Sequence, residues 1–336
     1  MRKGLGEREI ISILTREFDP EFTFPLGFTD DVAAFPFSRR NWAVLKADVL
    51  VESSDIPPGM KLWEAARKAV VATVSDFAAK GIRARALLIS LGLKAPVIQS
   101  TVREIAKGLR RGAAEYGCRI IGGDTSRSND LFIDCIGFGL ARPGQIIRRT
   151  GAMPGDIVAT TGRFGRTAAG LRIMFSRDLN RSRYRSIVRA VCHPVARLEE
   201  GIRLAKTGSV TSSIDSSDGL AWSLHEIAVS SRVNLRVDRI PVANDVVEFA
   251  TRLRLDPLKL ALYGGEEYEL IATINRRKFS SVKHTVPSLI PIGTVEAGEG
   301  QVYAQLDSEW KRLRPAGWDH FRSSSRMPLR VSASNR

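Results

Sequence analysis

Cysteine and histidine are the scarce residues of this 336-residue chain, with three of one and four of the other. Cys118, Cys135 and Cys192 stand far apart and form no Cys-x-x-Cys pair, which argues against a structural zinc site and fits thiols kept reduced. So few histidines leave little for a zinc centre of the usual kind. No apolar run reaches the roughly 18 residues that a membrane span needs, and the opening Met-Arg-Lys-Gly-Leu-Gly-Glu carries no signal-peptide core. A cytoplasmic protein with no membrane partner is expected. Zinc-finger spacing and the Gly-Phe/Tyr signature of ribonucleoprotein domains are missing too. Gly162-Arg-Phe-Gly165 has no Gly-Lys-Ser/Thr after it and is no Walker-type P-loop, though a glycine loop opening a helix offers backbone N–H groups to a phosphate.

What the chain has in quantity is positive charge. Lys and Arg number 51 against 36 Asp and Glu, a net +15 that draws nucleic acid, anionic membranes and phosphorylated small molecules alike. The basic residues are scattered, apart from Arg110-Arg111, Arg148-Arg149 and the region Arg177 to Arg189, which favours small phosphorylated ligands; a solvated basic surface explains the excess equally well. With 43% hydrophobic and 26% charged residues the composition is globular, and the length suffices for two domains.

The stretch Arg119-Ile-Ile-Gly-Gly-Asp-Thr-Ser126 organises the reading. A β-branched run followed by two glycines and an acid reads as a buried strand ending in a turn, with a carboxylate presented beside bare N–H groups. Asp124 is therefore a candidate for a metal or phosphate site, although Gly-Gly-Asp also makes ordinary turns. Four other stretches share the habit: Thr29-Asp30-Asp31, Ala47-Asp48, Val74-Ser75-Asp76 and Ile214-Asp215-Ser-Ser-Asp218-Gly219. So many carboxylates beside buried segments call for a cation, since like charges repel and desolvation is costly.

Along the chain, Glu7 to Phe18 reads as an amphipathic helix, and Asp31–Phe37 and Trp42–Val51 as antiparallel strands joined by a turn over Ser38–Asn41, which brings the first acid pair towards Asp48. Glu52–Met60 reads as a loop. Lys61–Lys80 is a buried helix ended by Gly81, with Asp76 near its C-terminal end where the dipole disfavours negative charge; a cation or a salt bridge to an Arg resolves that conflict. Strand Ala84–Leu93, a helix from Val97 to about Tyr116, the Gly-Gly-Asp strand and strand Leu131–Leu140 follow. The expected fold is α/β (α+β): a mixed sheet with helices on one face in residues 1–144, then an α+β domain in residues 145–322. In the second, Asp215 or Ser216 either caps the following helix or joins the acid set. Gly264-Gly-Glu-Glu echoes Gly-Gly-Asp and hints at similarly built halves. Residues 323–336 form a basic tail that is expected to be disordered.

Carboxylates on converging elements, with Gly-rich turns and an Arg-Arg pair, make a site for hard cations and phosphates. Mg²⁺ between aspartates and a nucleotide's phosphates is the natural occupant, and phosphoryl transfer the economical chemistry. The ordered series Asp30-Asp31-Val-Ala, Ala47-Asp-Val-Leu-Val, Val74-Ser-Asp-Phe-Ala-Ala-Lys-Gly81, Ile121-Gly-Gly-Asp-Thr125, Arg149-Thr-Gly-Ala-Met-Pro-Gly-Asp156, Ile214-Asp-Ser-Ser-Asp-Gly-Leu220, Gly264-Gly-Glu-Glu-Tyr-Glu-Leu270 and Gly317-Trp-Asp-His-Phe321 resembles the thiamine-monophosphate kinases, of the aminoimidazole-ribonucleotide-synthetase-like superfamily.

The resemblance implies transfer of the ATP γ-phosphate to thiamine monophosphate, several Mg²⁺ ions as cofactors, and a homodimer formed through the N-terminal sheets. It also implies roles. Asp31, Asp48, Asp76, Asp124, Asp215 and Asp218 match magnesium ligands, with Asp30 beside the first. Gly123, Asp124, Arg149 and Ser217 match ATP contacts, Asp124 and Arg149 being the catalytic pair, and Asp55, Glu266 and Trp318 match positions facing thiamine monophosphate. An aromatic face at Trp318 suits a cationic thiazolium. The chain departs from the pattern at Thr29 (usually Gly), at Lys46-Ala47 (usually two hydroxyl residues), at Asp55 (His in some members) and at Glu267 (an Asp place). Lys46 thus stands as a candidate replacement for a cation. The rival within the superfamily is an ATP-dependent synthetase or hydrogenase-maturation relative. The rival from another class is a basic nucleic-acid-binding protein on a degenerate scaffold, against which the near-complete acid set speaks, since those carboxylates would repel a phosphate backbone.

Overall fold

The computed structural model describes residues 4–18, 25–28, 30–319 and 321. Thr29, His320 and the tail at 323–336 lie outside the described residues, and with them the expectation about the tail.

In chain order the elements are α1 (Glu7–Glu17), β1 (Ala33–Pro36), β2 (Trp42–Val51), a single turn α2 (Glu52–Asp55), α3 (Leu62–Ala79), β3 (Ala84–Leu93), α4 (Gln99–Tyr116), β4 (Arg119–Arg127) and β5 (Phe132–Ala141). Then come β6 (Ile157–Thr160), α5 (Arg166–Phe175), α6 (Arg185–Cys192), α7 (Leu198–Lys206), β7 (Val210–Asp215), α8 (Leu220–Ser231) and β8 (Val233–Val237). The last are α9 (Asn244–Arg252), α10 (Pro257–Tyr263), β9 (Leu270–Ile274), α11 (Phe279–Thr285), β10 (Ile290–Ala297), β11 (Val302–Leu306) and β12 (Glu309–Arg312). Two mixed sheets result, ordered β1-β2-β5-β3-β4 and β12-β11-β8-β10-β6-β9-β7. The similarity of halves hinted at by the two Gly-Gly motifs is absent: one lies inside β4, the other in the loop before β9, and the sheets differ in size and order.

Strand parity decides what each face of the first sheet carries, because successive side chains point to opposite sides. In β5, Ile133, Cys135, Gly137, Gly139 and Ala141 are buried, and a side chain at Gly137 or Gly139 would collide with Phe77 of α3. Lys46 and Asp48 of β2 pair with Gly137 and Cys135, so they share this helix-facing side with α3. Asp134, Ser90 and Asp124 pair in a row across β5, β3 and β4 and occupy the opposite, open face.

Helix α3 holds the two halves together. It is almost wholly buried, its Ala and Val packing on β2 and β5 on one side and on α4 and α7 on the others. Its N-terminus is closed by Glu64, whose carboxylate accepts from the Lys61 N–H at 2.8 Å. The core around it continues into the second half through Leu198, Leu204, Leu270 and Ala272. Gly201 of α7 makes that junction possible, since a Cβ there would sit 1.9 Å from the Ala78 carbonyl oxygen.

The Gly-Gly-Asp stretch departs from its expected form. β4 does not end there but runs to Arg127, and all nine of its residues are exposed, because it is the edge strand of the sheet. Gly123 is required for a different reason: a Cβ on it would lie 1.8 Å from the Ile89 carbonyl oxygen, so the close approach is to β3.

Candidate active site

A cleft of about 1400 Å³ lies between the two sheets, lined from both halves. The strand-parity argument places Asp48 in it from β2, and the C-terminal turn of α3 brings Asp76. Asp30 and Asp31 enter just before β1, and Asp215 ends β7. Oxygens of Asp31, Asp76 and Asp215, all three buried, lie within 4.8 Å of one another. Asp218, Ser217 and Arg149 line the same cleft, as do Asp55, Glu266 and Trp318. Gly123 and Asp124 do not, being on the edge strand and, for Asp124, on the other face of the sheet.

The acids are partly neutralised from within. Lys80, with no exposure at all, places Nζ 2.5 Å from Asp30 and 2.8 Å from Asp31, and donates to the Ser213 carbonyl at 2.9 Å. Arg149 donates from Nε to Asp31 at 3.1 Å and pairs with Glu226 at 3.2 Å. Lys46 lies 3.0 Å from Asp76 and 3.4 Å from Asp48. Burial alone would raise the Asp31 carboxyl, but the charges of Lys80 and Arg149 outweigh it and hold the group at about 2. Asp76 is pushed well above its ordinary value by burial, which Lys46 only partly offsets. Asp215 is pushed up to about 7 by burial and then by the charge of Asp31, against a hydrogen bond from the Ser75 hydroxyl at 2.5 Å. The salt bridge expected from an Arg to Asp76 is thus made by Lys46. Asp215 is no helix cap, since α8 begins five residues later behind Gly219.

These donors suit a hard cation. They are oxygens, they converge, and Asp48 Oδ2 is buried without a hydrogen bond while Asp31 Oδ2 has only the Lys80 charge nearby. An additional positive ion would satisfy both and lower Asp76 and Asp215.

Two lysines were not legible as site residues. Lys68, 2% exposed in its side chain, donates to the Asp55 carbonyl at 2.7 Å and pairs with Glu266 at 2.5 Å, tying α2 to the loop before β9. Lys80 is the other. Their signal is their position, since Lys68 interrupts the apolar sequence of α3 and Lys80 caps its C-terminus, each within about a third of a turn of Asp76 at ~100° per residue. The loop that Lys68 anchors is held in uncommon backbone: Glu266 and Tyr268 have φ of 60° and 52°, fixed by N–H bonds to the carbonyls of Ser217 at 2.6 Å and Ser216 at 3.0 Å. Asp55 lines the cleft, yet its Oδ2 already accepts from the Val51 N–H at 2.7 Å.

At the glycine loop 162–165 the helix N-terminus is already occupied. The N–H groups of Gly165 and Thr167 donate to the Glu267 carboxylate at 2.7 and 3.0 Å, a partner about 100 residues away that supplies the anion internally.

Comparison with known proteins decides what this cleft belongs to. Residues 29–141 match the family described as AIR synthase related protein, N-terminal domain. Thiamine-monophosphate kinase of Nitrosopumilus maritimus (strain SCM1) is 37% identical over 323 residues, spanning 95% of this chain and 99% of the relative. The chain belongs to the thiamine-monophosphate kinase family. Its identity to the Pyrococcus horikoshii thiamine-monophosphate kinase is 36%, over 97% of this chain and 99% of that protein. The solved structure of AaThiL complexed with AMPPCP and TMP superposes with a TM-score of 0.82 at 28% identity, covering 96% of this chain and 99% of that one. Within a thiamine-monophosphate kinase, the acid-lined cleft is the candidate active site, and the maturation-enzyme reading gives way to the family match. Among the described residues no helix is long and apolar enough to cross a membrane.

Proposed function

We propose that the cleft transfers the γ-phosphate of ATP to thiamine monophosphate, giving thiamine diphosphate and ADP, by direct in-line displacement with magnesium bound at the aspartates. The observation that carries this is the convergence of Asp31, Asp76 and Asp215 oxygens within 4.8 Å, from three separate elements and both halves of the chain. Magnesium supplies neutralisation and alignment of the phosphate oxygens when bound. The chain's own residues do the rest. Lys80 and Arg149 keep Asp31 ionised, so it meets a cation as a carboxylate. Asp215, raised to about 7, gives up its proton to make room for a cation, and Asp76 stands paired with Lys46. Asp48 and Asp218 extend the acid set along the cleft, with Asp30 held back by Lys80 and by the Arg149 N–H at 3.0 Å.

The acceptor is itself an anionic phosphate, so no general base has to remove a proton, and the arrangement's task is positioning and charge screening. Arg149 and Ser217 are assigned to the ATP phosphates. Glu266 and Trp318 are assigned to the thiamine moiety, and Asp55 to the same end of the cleft. The division into residues 1–144 and 145–322 is supported by the strands of the two sheets, which fall on either side of residue 144.

A homodimer through the first sheet is supported by the open face, where Val49 and Leu88 are exposed and Ile121 stands out at the β4 bulge. Gly123 and Asp124 retain an ATP and metal role as contributors to the second copy's cleft, since in their own chain both lie on the edge strand outside the cleft and Asp124 is on the face turned away from it. A cytoplasmic setting is supported by three free, buried thiols.

The test is product analysis with Mg-ATP and, in turn, thiamine monophosphate, thiamine and an unrelated phosphate ester. Thiamine diphosphate and ADP formed one for one with the first alone are the expected result; phosphorylation of another acceptor would overturn the reading. ATP chiral at the γ-phosphorus should give inverted product, and retention would instead indicate a phosphorylated enzyme intermediate.

A further inference from the structure

Lys46 departs from the resemblance by bringing a positive charge into the cleft, where hydroxyl side chains are usual. β-strand parity sets it beside Asp48 on the helix-facing side of β2, opposite Gly137, whose missing side chain lets Phe77 and Thr73 bring α3, and with it Asp76, close to the strand. Its ammonium lies 3.0 Å from Asp76 and 3.4 Å from Asp48, so it spans an acid from the sheet and an acid from α3. The other paired cations at the cleft serve different acids: Lys80 pairs with Asp30 and Asp31, Arg149 with Asp31 and Glu226, Lys68 with Glu266, and Arg8 with Asp218 and Glu226. Among the described residues Lys46 is the cation that pairs with Asp48 and Asp76. A hydroxyl at this position would add an oxygen ligand and no charge; an ammonium adds charge, removes the ligand and fills the space between the two carboxylates.

We infer that Lys46 is a built-in cation that takes the place of one divalent ion between Asp48 and Asp76. This chain accordingly binds one ion fewer with its nucleotide than the same chain with a hydroxyl at position 46. The inference rests on the magnesium reading above and specifies how many of the ion positions remain open. Lys46 also has a second consequence: the apo cleft is held together without metal, because the carboxylates of two separate elements share a covalently attached charge.

The test counts bound Mn²⁺ per chain, by electron paramagnetic resonance and by dialysis with elemental analysis, in the presence of a non-hydrolysable ATP analogue. Lys46→Thr should bind one more Mn²⁺ per chain than the unsubstituted protein. Lys46→Met, which removes the charge and supplies no oxygen, should melt at lower temperature in EDTA and regain stability with MgCl₂ by a larger margin than the unsubstituted protein. If Lys46→Thr folds only with the ion present, it is purified and counted without removing the ion. Equal Mn²⁺ counts in the two chains overturn the Lys46 inference and leave the magnesium reading standing. Failure of both chains to bind Mn²⁺ overturns both. An unchanged melt of Lys46→Met in EDTA contradicts the role in holding the apo cleft.

Discussion

Asp215 and Asp124 look alike in sequence, each an acid after a β-branched run and beside small residues, yet they end in opposite circumstances. Asp215 closes a buried strand, accepts from Ser75 and stands within 4.8 Å of two other carboxylates. Asp124 sits inside an exposed edge strand, on the face turned away from the cleft. The difference teaches that a local motif selects a residue type, while sheet position and parity select where its charge is delivered. On the proposed reading, one acid works within its own chain and the other needs a surface brought to it.

The largest effect should separate the two directly. Asp215→Asn should lower kcat by roughly 10²- to 10³-fold or more, the scale of losing one preorganised charge-stabilising group, measured by ADP release with Mg-ATP and thiamine monophosphate. Asp124→Asn should be comparably impaired, and the informative experiment mixes them. If Asp124 serves the second copy, two inactive proteins co-refolded should regain about a quarter of the wild-type rate, the share of intact sites under random pairing. No recovery would place Asp124 in its own chain's site or outside the chemistry.

Next in size is the open face itself. Leu88→Glu buries a charge in the proposed dimer interface, so light scattering should show monomer, with activity falling in parallel while circular dichroism is unchanged. A dimer that survives the substitution would move the interface elsewhere.

These contrasts show what could be read from the chain. Asp48 was legible because the hairpin of β2 with β1 is short, so its approach to Asp31 follows from local geometry. Helix α3 and its terminus at Gly81 were legible from composition. Asp124 was legible as a residue type only, since nothing in Arg119–Ser126 reveals that β4 lies at the sheet edge; that depends on the pairing with β3, some 33 residues earlier in register. Gly162–Gly165 was misread for a similar reason, because the carboxylate that fills it comes from Glu267. Lys68 and Lys80 were passed over because charge in a buried helix is informative only once its partners across the fold are known.

A smaller effect concerns pH. Asp215 has its carboxyl raised from 3.8 to about 7, so the apo fold holds a proton there that the unfolded chain has lost, and the burial of Asp76 pushes in the same direction. The apo protein should therefore lose stability as pH rises from about 4 to 7, whereas Mg²⁺ affinity should strengthen over the same range, by at most about tenfold per pH unit for each proton displaced and less as pH approaches 7. Calorimetry in buffers of different ionisation enthalpy reads the protons released. A pH-independent affinity would contradict the account of the two buried acids. The smallest effect is at Trp318: its replacement by Leu should raise KM for thiamine monophosphate roughly tenfold or less and leave kcat nearly unchanged, as expected for a cation–π contact.

The most direct test of the central claim follows the phosphorus by ³¹P NMR as MgCl₂ is added to the protein with ATP and thiamine monophosphate, beside folded Asp215→Asn. The account predicts that the γ-phosphate signal of ATP is replaced by the terminal phosphate of thiamine diphosphate only when the divalent ion is present, and that the variant leaves ATP intact. Conversion without a divalent ion, or undiminished conversion by Asp215→Asn, would contradict a cleft that works by gathering carboxylates around a cation.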